Sequence, residues 1–165
     1  YQFGGPILPL RLIRIQPIRP IQPKGIDMAT SAFSASDIDA ATNAALGALA
    51  WSTPSYDDDG EFLDAADADW SDAAREQMRT LMHGFMSDKR VTRLLALLAL
   101  YGVPFSPDQI GHDFILTANR HGAGFWDRDY RARPKAALDE LSEIVRPHGE
   151  IGAYQSDNGA LEIGY

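Results

Sequence analysis

Between Ser106 and Asp127 the chain reads SPDQIGHDFILTANRHGAGFWD, and no other stretch restricts its own backbone so closely. Ser106 offers an oxygen to the free N–H groups of a helix start, Pro107 suits the first helical position, and Gln109 stands three residues on as a capping-box partner. The spacing predicts a helix over 106–121, with Ile110, Phe114 and Ala118 four residues apart and Ile115 and Leu116 beside them. Gly122 is expected to end it in a left-handed conformation. Gly122 and Gly124 then let the chain turn, and Phe125 and Trp126 are expected to return it to the central core.

This helix and its exit also concentrate the chain's chemistry. His112, Asp113, Asn119, Arg120 and His121 lie on it, and Asp127 follows. The plainer reading makes them surface, capping and dipole-facing groups. The chemical reading makes His121 or His112 a general acid or base, Asp127 or Asp113 the group that orients it, and Asn119 with Arg120 a binder of anionic oxygen. The two histidines are about 13 Å apart along a helix axis, so at most one does chemistry. His121 is the better placed, because Gly122 and Gly124 allow a ligand close approach and Asp127 is expected to fold back toward it.

Charge divides the chain. Residues 1–27 carry four basic and one acidic side chain, leaving eleven basic and twenty-two acidic in 28–165, a net −11. Such a field repels a nucleic-acid backbone and suits a basic protein surface, so direct nucleic-acid binding is disfavoured. With no cysteine there is neither disulfide nor thiolate chemistry. The longest apolar run, Leu94–Leu100, is about a third of a bilayer span, which predicts a soluble protein that binds no membrane.

Along the chain, residues 1–27 hold half of the ten prolines, with Pro17, Pro20 and Pro23 at polyproline spacing. They are expected to be a leader, vector-derived or translated from upstream, or an extended arm, and residues 28–165 a single domain. A capping box at Ser36 and Asp39 predicts an alanine-rich helix to Ala50, with Trp51 anchoring its exit. From Asp57 to Asp72 there are eight acids and no base. Such a block belongs on the surface, pinned by Phe62, Leu63 and Trp70, and Asp57, Asp58, Asp59, Glu61, Asp64, Asp67 and Asp69 are its candidate partner-binding residues. It lacks the ligand order of a calcium loop.

Ser71 is expected to cap a helix with Met78, Leu81, Met82 and Phe85 on its apolar stripe and His83 partly buried among them. A second helix follows Ser87 or Asp88. Its 91–101 segment is apolar on too many faces for a surface helix, and is expected to be the most buried in the domain or to bury a second face against another copy of the chain. Arg128, Arg131 and Arg133 form a basic island, a candidate anion-binding group. Pro134 opens a helix that places Leu138, Leu141, Ile144 and Val145 on the core, and a hairpin is expected to pair 151–155 with 160–164 across SDNG. With 124–126 as a third strand, the chain reads as an α+β domain of four or five helices on a small antiparallel C-terminal sheet. No nucleophile elbow, P-loop, HExxH or dinucleotide fingerprint is present, and no metal or cofactor is expected.

GHDFILTANRHGAGFWDRDY resembles a motif, close to GHDFWLTRNGHGAGFWDRG, of small, acidic, mostly uncharacterised proteins of double-stranded DNA phages and mobile elements. Ile115 stands where that family often has Trp, and Arg120 where it often has Gly. The family supplies no established reaction. The resemblance implies a setting: an accessory protein in a host bacterial cytoplasm. The leading expectation is therefore a non-enzymatic interaction protein, an acidic inhibitor that mimics nucleic acid before a basic host or phage protein. The competing one is a small hydrolase or transferase built on the histidines and aspartates above.

Overall fold

The computed structural model describes residues 33–52, 55–56, 62–63, 69–127 and 135–164, with 55–56 and 62–63 described through their backbone pairing alone. Its elements in chain order are α1 (Ala35–Ser52), β1 (Ser55–Tyr56), β2 (Phe62–Leu63), α2 (Asp72–Ser87), α3 (Lys89–Leu100), α4 (Pro107–Ala118), α5 (Lys135–Val145), a 3₁₀ turn (Arg146–His148), β3 (Gly152–Gln155) and β4 (Leu161–Gly164). The five helices pack against the small antiparallel sheet of β3 and β4, an α+β fold.

The caps show why the helices begin where they do. α1 starts on Ser34 and Asp37, one turn-fraction before the box expected at Ser36 and Asp39. The Asp37 N–H donates to the Ser34 hydroxyl at 3.2 Å, and the Asp37 carboxylate accepts from the Ser34 N–H at 2.9 Å. The Ser34 hydroxyl also donates to that carboxylate at 2.7 Å, and this bond with the one from the Ser34 N–H holds the Asp37 carboxyl below its ordinary value. Ser71 caps α2 by accepting from the Ala74 N–H. Asp88 closes α2 and opens α3, accepting from the Arg90 N–H at 2.7 Å. For α4 both bonds of the Ser106–Gln109 box are made and Pro107 takes the first position.

α4 is the centre of the molecule. From Ile110 to Ala118 every residue but His112 is buried. Its closest companion is α1, whose inward positions include Ala41, Ala45 and Ala48. At Gly111 the two backbones meet so tightly that a Cβ would collide with the Ala41 carbonyl group. Side chains this small give each helix little to bury, and the close approach restores dispersion contacts. Phe114 sits edge-on to Phe85 of α2 at 5.0 Å, and Phe125 lies 6.1 Å from Phe85 and 5.6 Å from Phe105.

Several sequence expectations change at this level. The helix after Asp88 is not the most buried; α4 is, and α3 leaves Leu97, Leu100 and Tyr101 exposed. Phe125 is fully buried as expected, but Trp126 is 38% exposed, and 124–126 form turns and a bend, not a strand. The reason is local: the Phe125 N–H donates to the Thr117 hydroxyl at 2.9 Å, which holds the chain against α4 and away from any sheet edge. His83 is exposed, because the stripe of Met78, Met82, Phe85 and Met86 turns the opposite side of α2 inward.

β3 and β4 pair from Gly152 opposite Gly164 to Gln155 opposite Leu161, joined through a turn in which Gly159 takes φ 83°. Ahead of α2, the Ser71 N–H donates to the Leu161 carbonyl and the Leu161 N–H to the Asp69 carbonyl, so this segment lies parallel against β4. The Ser71 hydroxyl donates to the Glu162 carboxylate at 2.8 Å. The sequence offered no sign of the antiparallel pairing of β1 with β2. Asp57, Asp58, Asp59 and Glu61 fall between them in the sequence. Those four acids, with Asp64 and Asp67, lie outside the described residues; Asp69 is exposed.

Candidate functional site

α4 ends three residues earlier than its sequence suggests. The Arg120 N–H donates to the Thr117 carbonyl and the His121 N–H to the Leu116 carbonyl, the paired closure of a Schellman motif, so the left-handed position falls on Arg120 at φ 55°. Gly122 is not the left-handed residue that was expected. Ala123 is the second, at φ 70°. Two L-residues in this region within four positions is backbone strain that the surrounding contacts must hold.

Those contacts are identifiable. The Asn119 side-chain amide donates to the Ile151 carbonyl and its oxygen accepts from the Ile151 N–H, both at 2.8 Å. One side chain thus acts toward the entrance of β3 as a neighbouring strand would. The Asp127 carboxylate accepts from the Ala123 N–H at 2.9 Å. A Cβ on Gly124 would press on the Thr117 hydroxyl and backbone. Asn119, Gly124, Phe125 and Asp127 therefore carry structure, and Asp127 folds back onto the turn backbone, not onto the ring of His121. His121 is exposed, and no hydrogen bond to its ring is found among the described residues.

The pairing of histidine with aspartate occurs at the other end of α4. His112 Nδ1 lies 3.2 Å from Asp113 Oδ1; the Asp113 side chain is 0% exposed and that of His112 is 38% exposed. Adjacent helical residues diverge by about 100°, so this contact bridges the edge of the buried face, with the carboxylate inside and the imidazole at the boundary. His112 is one of the groups that hold Asp113. At 3.2 Å the contact is longer than a tight charge-assisted bond of about 2.7–2.9 Å, and is suited to orienting the ring. The outer side of the imidazole meets Trp51, an exposed indole whose ring centroid is 6.0 Å away. Nothing in the sequence linked Trp51 to His112, since sixty-one residues separate them and only the packing of α1 on α4 unites them.

A carboxylate on Nδ1 selects the tautomer with hydrogen on that nitrogen and leaves Nε2 for proton transfer. His148 is differently placed: its ring packs 5.2 Å from that of Phe114, and burial lowers its pKa from the ordinary 6.5.

Among the described residues, one groove of about 430 Å³ runs along α2 and another of about 380 Å³ lies between α1 and α2; His112 lines neither of these. Among the described residues there is no group of three or more His, Asp or Glu placed to hold a metal ion. Nor, among them, is any helix long and apolar enough to cross a membrane. Arg128, Arg131 and Arg133 lie outside the described residues. No family model matches the chain, and no curated protein or solved structure matches it.

Proposed function

We propose that the chain is a small hydrolase or transferase whose acid–base group is His112, with Asp113 as the residue that positions it. The observation that carries this reading is the 3.2 Å contact between a fully buried carboxylate and a half-exposed imidazole. A carboxylate withdrawn from water cannot exchange its partner for solvent, so the ring orientation is set before a substrate arrives. Nε2 would accept the proton of an attacking hydroxyl or water, and Asp113 would hold the ring in place through Nδ1–H until that proton is returned to the leaving group. The Arg128, Arg131 and Arg133 island is the proposed holder of an anionic substrate group. The proposed setting is an accessory protein of a phage or mobile element, acting in a bacterial cytoplasm.

The test is turnover on a panel of activated esters and phosphoesters, with His112→Gln beside the parent. The variant should lower the rate about 10²–10⁴-fold while still folded at the assay temperature. His121→Gln should retain activity. Absence of turnover in the parent, or its survival in His112→Gln, rejects the assignment.

The net charge of −11 over residues 28–165 favours a second reading, in which the acids from Asp57 through Asp69 bind a basic protein surface as a nucleic-acid mimic. Neutralising Asp57, Asp58, Asp59 and Glu61 together should leave stability unchanged, weaken a captured partner and flatten its salt dependence. Equal affinity of parent and variant across a salt series argues against it.

A further inference from the structure

α3 has a charge order opposite to the one its own dipole favours. Its first five residues include Lys89, Arg90 and Arg93, it contains no acid, and no base stands in its last turn. Cations at a helix N-terminus face the positive end of the macrodipole. Asp88 answers one of them, with Arg90 Nη2 2.8 Å from its carboxylate, but among the described residues Lys89 and Arg93 have no ion-pair partner. Toward the C-terminal end of the same helix and its cap, apolar side chains are left uncovered: Leu97 is 38%, Leu100 65% and Tyr101 57% exposed. Arg93, Leu97 and Leu100 stand at i, i+4 and i+7, one exposed stripe with Tyr101 of the helix cap at its edge, beside the buried face of Val91, Leu94, Leu95 and Leu98.

A stripe with cations at one end and leucine and tyrosine at the other is complementary to itself when reversed. We propose that α3 is the interface of a homodimer, in which two copies of the helix pack antiparallel about a two-fold axis through Leu97. That arrangement sets Arg93 of each copy opposite Tyr101 of the other, a cation over an aromatic face. It also brings Lys89 and Arg93 toward the partner's helix C-terminus, where the dipole favours them. The contact is isologous and closes on two copies. Three exposed apolar residues are less than the roughly 800 Å² per partner of a standard interface, so the dimer is reversible and depends on concentration. It is independent of the chemistry at His112.

The 165-residue chain should show a monomer–dimer equilibrium by sedimentation between about 5 and 500 μM, a range suited to a small interface. Leu100→Glu should be monomeric throughout with an unchanged melting curve, because the side chain is exposed, and Arg93→Glu should weaken association at least about threefold. Because the chain has no cysteine, position is read directly. Under mild oxidation Leu97→Cys should form a covalent dimer at least about tenfold faster than Thr80→Cys on the exposed side of α2, since a disulfide needs Cβ atoms about 4 Å apart. A parent monomeric at the highest concentration, a Leu100→Glu dimer as strong as the parent's, or equal cross-linking at 97 and 80 each overturns the proposal. Occupation of the stripe by a different protein with no self-association overturns it also.

Discussion

Removing the Asn119 amide tests whether α4 and the hairpin are one unit. Its two bonds to Ile151, both 2.8 Å, satisfy a backbone donor and a backbone acceptor beside a fully buried side chain. Asn119→Ala leaves both without a partner, at about 1–3 kcal/mol each where water cannot replace them. The hairpin can partly peel away and hydrate them, which limits the loss, so we expect about 2–4 kcal/mol. Against a domain stability of about 5–15 kcal/mol that is a large fraction. Urea unfolding followed by circular dichroism should show a lower midpoint with the same slope. Amide exchange should locate the effect, with the Ile151 N–H and the β3–β4 amides losing protection before those of α4. A midpoint corresponding to less than about 0.5 kcal/mol, the scale of an inert surface change, would refute the argument. So would a large loss with hairpin protection unaltered.

Gly111→Ala should destabilise by at least about 2 kcal/mol despite the better helix propensity of alanine, because its Cβ meets the backbone carbonyl of Ala41, which cannot rotate away. Gly84→Ala, also in a helix but with open space around it, should instead stabilise by about 0.5–1 kcal/mol, and thermal melting of the two variants compares them directly. Arg120→Gly should raise stability by about 0.5–1 kcal/mol by relieving the φ of 55°, and an unchanged or lower melting temperature would show that the arginine side chain makes up the strain. Because burial lowers the His148 pKa in the folded protein, the unfolded chain takes up that proton first on acidification; stability should fall as the pH drops below about 6.5, and His148→Gln should flatten that part of the profile.

How much of this was legible in the sequence depended on whether the cause was local. The Ser106–Gln109 box, the Ser71 cap, the Asp88 boundary and the 151–164 hairpin all arise from residues within a few positions of one another, and each is where the residues predict it. The end of α4 was misplaced because glycine is the usual left-handed residue, and two of them follow His121. The chain uses Arg120 instead, since closing the helix there delivers Asn119 to Ile151, thirty-two residues away. Trp126 was expected inside because aromatics seek burial. Only one ring of the Phe125–Trp126 pair can point at Phe85 and Phe105, and the Thr117 bond to the Phe125 N–H decides which. Gly111 carried no visible signal beyond a weak helical residue, because the carbonyl it accommodates belongs to α1.

The division within α4 bears on how its motif is to be understood. Gly111, Phe114, Thr117 and Asn119 have structural work that the contacts account for: a helix crossing, the aromatic cluster, the following turn and the hairpin. Asp127 and Gly124 shape the exit. None of these requires a histidine at 112, the single position between Ile110 and Ala118 that reaches the surface. A residue selected only to cover that edge need make no bond to the interior, yet the His112 Nδ1–H donates to Asp113, a carboxylate with no exposure, while an exposed tryptophan lies against the ring. A buried carboxylate is expensive to retain and needs partners, of which His112 is one. The motif thus folds one face of α4 into the core and holds the imidazole at its edge; on the proposed acid–base reading, His112 is the position along the helix where loss of activity should exceed loss of stability.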